Sequence, residues 1–331
     1  MAKTITIVGA AGKMGKWFFD YFINIKNSCY NLKNRDNLII DKILLYDIKD
    51  INYVTVPQNF SKEDVVIVST NISESIKVSD IIFFCTPLTE IINLINYNFE
   101  SFNRGSVIVD ISSIKSSVYE ILSSISSKKD ITTLCIHPMF GPGASISSST
   151  NKIIFIPVNK NKRETEENLI NYIFPNFEII KIEEPYKHDL SISVIISIIY
   201  FINIVFSKLL IELTNAKEFQ FEDNILSFFK NISGSSFRLQ SLLSESILTD
   251  DLSLFNTLFI DNNTSLQIFK KYNHIFNHLL DKVEKKDKDF LKEFVQTTKN
   301  KIKKDIDIDN SYEVLYKFIN SYNKDKEHKT S

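Results

Sequence analysis

A strand-like run ending in three closely spaced glycines, Ile5-Thr-Ile-Val-Gly-Ala-Ala-Gly-Lys-Met-Gly-Lys-Trp17, constrains this chain more than any other feature. Glycine is scarce here: seven occur among 331 residues, about 2% where ~7% is usual. Five of the seven fall in two clusters, Gly9, Gly12 and Gly15 in that run, and Gly141 and Gly143 in His137-Pro-Met-Phe-Gly-Pro-Gly143. An apolar strand handed to a helix through such glycines is the entry to a doubly wound α/β sheet. One glycine makes the tight turn, one lets the backbone approach a pyrophosphate, and one lets helix and strand pack closely. The phosphates then meet free N–H groups at the helix N-terminus. The spacing is GxxGxxG, a variant of GxGxxG, and the strand–turn–helix context is the one the motif needs. Gly9, Gly12, Lys13, Met14 and Gly15 are therefore assigned to a dinucleotide cofactor; a merely structural turn is the plainer alternative.

The choice of dinucleotide falls on the end of the second strand. A carboxylate there binds the ribose hydroxyls and opposes a 2′-phosphate, favouring NAD over NADP. Leu44-Leu-Tyr-Asp47 puts Asp47 at that end, 32 residues after Gly15 across a polar insertion expected at Asn27–Asp41. Asp47 as a simple turn cap, with NADP accepted, is the alternative. Thr86 and Pro87 close the fourth strand, where the nicotinamide side of such a cleft is lined.

Short β-branched runs alternate with helical stretches up to about residue 182, the signature of a parallel sheet. Beyond Glu183 the pattern is helical only, in segments of about 184–213, 224–243, 252–284 and 287–303. The reading is a Rossmann-type domain over residues 1–183 and an all-helical dimerisation domain over 184–331, with a charged tail from Asn323 expected to fray. A net charge of −1 gives no electrostatic footprint for nucleic acid or an anionic membrane. Cys29, Cys85 and Cys135 are too widely spaced for a disulfide framework or a zinc site. No charged-then-apolar leader opens the sequence, so a reducing cytoplasm is expected. Leu190–Phe206 carries no charge over 17 residues, the lower edge of a membrane span. With no second such run, the centre of an obligate helical homodimer is the preferred reading.

His137 follows the apolar run Thr133-Leu-Cys-Ile136, which places it at a strand's carboxyl end, where ligands of open α/β sheets bind. Pro138, Pro142 and the two glycines suggest a stiff loop holding it. Val109-Asp-Ile-Ser-Ser-Ile-Lys115 brings Ser113 and Lys115 to the same edge. The glycine turn running into Lys-Met-Gly-Lys-Trp-Phe, the Asp-Ile-Ser-Ser-Ile-Lys segment and His-Pro-Met-Phe-Gly-Pro together resemble the prephenate dehydrogenase family, particularly its archaeal-type members. Lys187-His188-Asp189 adds a weaker match, and the resemblance is specific over residues 1–190.

What the resemblance implies is NAD-dependent oxidative decarboxylation of prephenate to 4-hydroxyphenylpyruvate, on the route to tyrosine. His137 would take the hydroxyl proton, as a neutral imidazole is suited to do, and Ser113 would bond that hydroxyl and orient the histidine. Lys115, Gly141 and Arg238 are the substrate candidates. Lys115 would offer positive charge, or only solvate a helix start. Arg238, alone among four arginines in the helical part, would clamp a carboxylate or merely lie at the surface. Where family helices often carry a further histidine, this chain has Ser197 and Tyr200. Arogenate or another small hydroxy acid as substrate, and a non-catalytic nucleotide-binding relative, stay open.

Overall fold

The computed structural model describes residues 2–31, 38–53, 65–148, 150–214 and 225–330. Two compact units partition it: Met1–Ile192 with Asn256–Asn262, and Ser193–Phe255 with Asn263–Ser331.

The first unit is built on one eight-stranded sheet in the order β3-β2-β1-β4-β5-β6-β7-β8. Its strands are β1 (Lys3–Val8), β2 (Ile40–Tyr46), β3 (Val66–Val68), β4 (Ile81–Phe84), β5 (Val107–Asp110), β6 (Thr132–Pro138), β7 (Lys152–Ile156) and β8 (Glu178–Lys181). All neighbours run parallel except β6 and β7. The central strands are continuous apolar runs because helices cover both faces. The strand order reverses beside β1, the switch point at which such sheets bind ligands. Packed on the sheet are α1 (Lys13–Asn31), α2 (Ile72–Lys77), α3 (Leu88–Tyr97), α4 (Ser116–Lys128) and α5 (Arg163–Ile173), and α6 (Pro185–Ile192) completes the unit. Phe18 and Phe22 of α1 meet Phe83 of β4 at ring separations of 5.0 and 5.1 Å. This is the fold class read from the sequence.

Two local readings are corrected. The polar insertion is helical as far as Asn31, because α1 runs past Ile25; residues 32–37 and the Cys29 side chain lie outside those described. The unit boundary also falls after α6 rather than at Glu183, because Asp189 ties α6 to the start of α4.

The second unit is helical. A π-helical turn, Ser193–Ser197, leads into α7 (Ile198–Thr214), followed by α8 (Ile225–Ile232), α9 (Ser235–Leu248), α10 (Leu252–Asn256), α11 (Asn263–Glu284), α12 (Lys288–Ile302) and α13 (Ser311–Thr330). The segment expected as one helix from 224 breaks at Ser233-Gly234, and the tail is helical to Thr330 rather than frayed. Pro185–Leu213 is long and apolar enough to cross a membrane, and only 17% of its most apolar window is buried within the chain. The face turned inward there mixes buried Ile192 and Ile198 with polar residues: Ser193 meets Thr264 at 2.5 Å, and Asn203 accepts from Gln240 and Ser244 at 2.7 Å each. Val194, Ile195, Ile199 and Val205 face outward. The burial expected for Leu190–Phe206 is therefore not supplied within one chain.

Candidate active site

The register brings the carboxyl ends of five strands to one edge. Val8 pairs with Tyr46 and Phe84, Phe84 with Asp110, and Asp110 with Cys135. Gly9, Asp47, Thr86, the Ile111–Ser113 loop and His137 therefore share that edge.

The glycine turn is sterically committed. Gly9 has φ +86°, and a Cβ there would lie 2.6 Å from the Cys85 carbonyl oxygen. A Cβ on Gly15 would collide with the Gly9 carbonyl and sit 2.8 Å from the Ala10 Cα. One on Gly12 would stand 3.2 Å from the Gly9 oxygen. The backbone of β1 and the first turn of α1 are thus as close as the chain permits. No acidic residue occupies that first turn, Lys13 is exposed, and Met14 packs partly into the core. The Asp47 carboxylate accepts the Ala11 N–H at 2.8 Å and the Lys49 N–H at 2.9 Å, so it does cap the turn, and it stays partly exposed at its rim. Tyr53, unread in the sequence, donates its hydroxyl to the Ala10 carbonyl at 2.5 Å, while Lys16 lies over its ring. The Thr86 hydroxyl is buried without a partner at the end of β4, and Pro87 precedes α3. A cradle that admits no side chain, a helix start free of acid and an orphaned hydroxyl beside it fit a dinucleotide.

His137 is not on a loop. β6 runs on through His137 and Pro138, because β7 pairs antiparallel with them (His137 with Ile154, Pro138 with Ile153) after pairing with β5 has ended. Pro138 thus loses no ladder bond to β5. Trp17 of α1 donates its Nε1–H to the Ala144 carbonyl at 2.8 Å and packs on Phe140 at 4.7 Å, fastening the segment after β6 to the helix that follows the glycine turn. Gly141 and Gly143 are exposed with open space around them.

The partner of His137 is His188, not Ser113. His137 Nδ1 lies 3.0 Å from His188 Nε2, and His188 Nδ1 lies 2.8 Å from Asp189 Oδ1. Asp189 also accepts the backbone N–H groups of Lys115 (2.8 Å) and Ser116 (2.9 Å). It thereby supplies the cap that α4 lacks from its own sequence and places an anion at a helix N-terminus. A carboxylate only accepts, so His188 carries its proton on Nδ1 and offers Nε2 as acceptor. His137 then donates from Nδ1 and is left with a bare lone pair on Nε2. Burial first, then His188 and Lys115, holds His137 well below the usual imidazole pKa of 6.5. His188 is likewise lowered by burial, with Asp189 opposing. Burial alone would raise the Asp189 carboxyl, but hydrogen bonds from His188, Ser116 and Lys115 hold it below its ordinary value.

Lys115 does not face the cleft. It is 0% exposed, with Nζ 2.6 Å from Asp110, 2.5 Å from the Ile136 carbonyl and 3.4 Å from the Ser112 hydroxyl. A fully paired buried ammonium cannot offer its charge to a substrate; it braces the residue before His137 instead. Breaking such a pair costs about 3–5 kcal/mol. Ser113 is partly exposed on the same loop and makes no hydrogen bond to His137 in the structure. Arg238 is exposed on α9, in the other unit. Burial pushes the Cys85 and Cys135 thiols up, away from the thiolate form. Among the described residues no cluster of three metal-binding side chains occurs.

Residues 39–173 match the family profile described as prephenate dehydrogenase, nucleotide-binding domain. The glycine turn precedes that span. A probable arogenate/prephenate dehydrogenase of Methanocaldococcus jannaschii is 26% identical over 205 residues, a stretch spanning 60% of this chain and 40% of that relative's length. The fold is that of prephenate dehydrogenase from Aquifex aeolicus, solved with hydroxyphenyl propionate and NAD+ (TM-score 0.65, 16% identity, covering 92% of this chain and 98% of that one). Arogenate dehydrogenase from Synechocystis is similar too (TM-score 0.59, 16% identity, covering 92% of this chain and all of that one). Residues 39–173 thus carry the match to the prephenate dehydrogenase nucleotide-binding domain, and the chain shares the fold of these solved dehydrogenases.

Proposed function

We propose that the protein oxidises and decarboxylates prephenate to 4-hydroxyphenylpyruvate, with NAD as hydride acceptor. The observation that carries this reading is the hydrogen-bonded order His137–His188–Asp189 at the carboxyl edge of the sheet, from which the bare Nε2 lone pair of His137 follows. A nicotinamide dinucleotide bound on the glycine turn supplies the acceptor for the hydride on the hydroxyl-bearing ring carbon. Gly9, Gly12 and Gly15 would admit its pyrophosphate, Asp47 would face its ribose, and Thr86 and Pro87 would border its nicotinamide. His137 Nε2 takes the substrate's hydroxyl proton as that carbon becomes carbonyl-like. Ser113 bonds the hydroxyl from the β5–α4 loop. Loss of the ring carboxylate then restores aromaticity, and the phenolate oxygen takes the proton back.

Arogenate carries an ammonium where prephenate has a keto group, so its binding calls for an acceptor, most simply a carboxylate. The two carboxylates of the histidine network, Asp110 and Asp189, are buried and engaged by Lys115 and by the α4 N-terminus, which favours prephenate. We further propose a homodimer, with a second copy covering the outward apolar face of Pro185–Leu213, and a cytoplasmic setting that keeps Cys85 and Cys135 reduced. Arg238 is the candidate clamp for a substrate carboxylate.

NADH formation by purified protein, offered prephenate, arogenate or neither, tests the activity. Turnover with prephenate is expected; turnover confined to arogenate, or none with either, overturns it. Light scattering without detergent tests the dimer, which a monodisperse monomer would refute.

A further inference from the structure

We propose that His188 is the temporary holder of the substrate's hydroxyl proton, with His137 as the intermediary through which it arrives and returns. The proposal rests on the functional reading above and concerns a residue that sequence reasoning left outside the site.

The geometry is a closed line of four groups. His137 Nδ1 stands 3.0 Å from His188 Nε2, His188 Nδ1 stands 2.8 Å from Asp189 Oδ1, and the two Asp189 oxygens each accept one backbone N–H from the start of α4. Every member is buried: His188 is 0% exposed, Asp189 3% and His137 5%. Nothing in this line is free to turn away, since the carboxylate is held by two elements at once and each ring by its neighbours.

The charges around the two rings differ. His137, at the end of β6, follows the Ile136 carbonyl that holds the Lys115 ammonium, feels that charge, and has no carboxylate partner among the described residues. His188 has Asp189 against its Nδ1–H, with Asp110 adding negative charge and Lys115 opposing. An added positive charge is therefore better accommodated on the inner ring than on the outer one. When the substrate hydroxyl gives up its proton, the O–H bond breaks as an N–H bond forms at His137 Nε2. The His137 Nδ1–H bond breaks as an N–H bond forms at His188 Nε2. The net result is a neutral His137 and an imidazolium at His188, paired to the Asp189 carboxylate; no electrons pass to either ring. The reaction neither consumes nor releases a proton overall, because the phenol product keeps its O–H. The shift reverses after carbon dioxide leaves. A site that borrows a proton and returns it within one turnover has no need of an outlet to water, which suits a chain sealed at its inner end by the α4 backbone.

Single-turnover NADH formation, in mixtures of H2O and D2O, tests this on wild type and on His188→Gln. Wild type is expected to give a bowed proton inventory, two protons moving together. His188→Gln is expected to give a straight one, a rate lower by about 10²-fold, and an unchanged dissociation constant for NAD. A straight inventory in wild type refutes the proposal without any variant, and so does a His188→Gln rate within a few-fold of wild type. Wild-type protein making no NADH from prephenate or arogenate brings down the functional reading, and this proposal with it. If His188→Gln does not fold, nitrogen NMR of the wild-type histidines decides: a His188 protonated on Nε2 in the resting state overturns the assignment.

Discussion

The two glycine clusters look alike in the sequence and are opposite in the structure. Gly9, Gly12 and Gly15 are packed so tightly that an added methyl group meets backbone within 2.6 Å at Gly9, and a carbonyl still closer at Gly15. Gly141 and Gly143 have nothing within 4 Å of where a Cβ would stand, and neither adopts a positive φ. The first cluster is a steric requirement of a backbone packed against the end of β4 and against its own turn. The second is not what orders the histidine: β7, Trp17 and His188 do that. Scarcity of glycine thus singles out two segments at one edge of the sheet, and close packing accounts for it in only one of them.

Four substitutions sharpen this contrast, in descending size. His137→Asn removes the bare lone pair and should lower kcat by roughly 10²–10⁴-fold with little change in the NAD dissociation constant; a rate within a few-fold of wild type breaks the histidine side of the comparison. In the intact enzyme the same group sets the acid limb of kcat/KM. Only neutral His137 accepts a proton, and burial lowers its pKa, so activity should hold to below pH 6.5 and fall as pH drops through the depressed value. Gly15→Ala should cost about 1–3 kcal/mol of stability or more through overpacking, together with NAD affinity, measured by denaturant unfolding and by titration. Asp47→Ala should shift the NAD-to-NADP ratio of kcat/KM toward NADP while also loosening the turn it caps; a wild type that already prefers NADP contradicts the strand-end assignment. Gly141→Ala, introduced into open space, should move stability by no more than ~0.5 kcal/mol and leave NAD binding alone. A large effect there would mean the open loop closes on something during turnover.

The sequence was readable where the determinants are local. Alternation of strands and helices, the turn after β1 and the position of His137 at the end of an apolar strand all follow from neighbours in the chain. What escaped was non-local. His188 lies 51 residues from His137, and the only trace of their pairing was the Lys187-His188-Asp189 tripeptide, a short polar match at the edge of a helical stretch. Lys115 reads as a cation available to substrate, since lysines are seldom fully buried; only the fold reveals that Asp110 and the Ile136 carbonyl surround it. Ser113 lies at the expected edge but not with the expected partner: His137 Nδ1 is bonded to His188. The run Leu190–Phe206 was legible as apolar, but its inward face sets Ser193, Ser197 and Asn203 beside Ile192 and Ile198.

Trp17 is the sole tryptophan in the chain, and its indole N–H is spent on the Ala144 carbonyl just past the histidine segment. The molecule therefore carries one indole fluorophore, excitable apart from its tyrosines, seated on the helix that leaves the glycine turn and bonded to the segment that follows His137. Its emission lies where reduced nicotinamide absorbs and oxidised nicotinamide does not. Excited alone, this indole should dim by energy transfer as product cofactor accumulates in the cleft and recover when it departs, so that the release step can be timed optically without attaching any label.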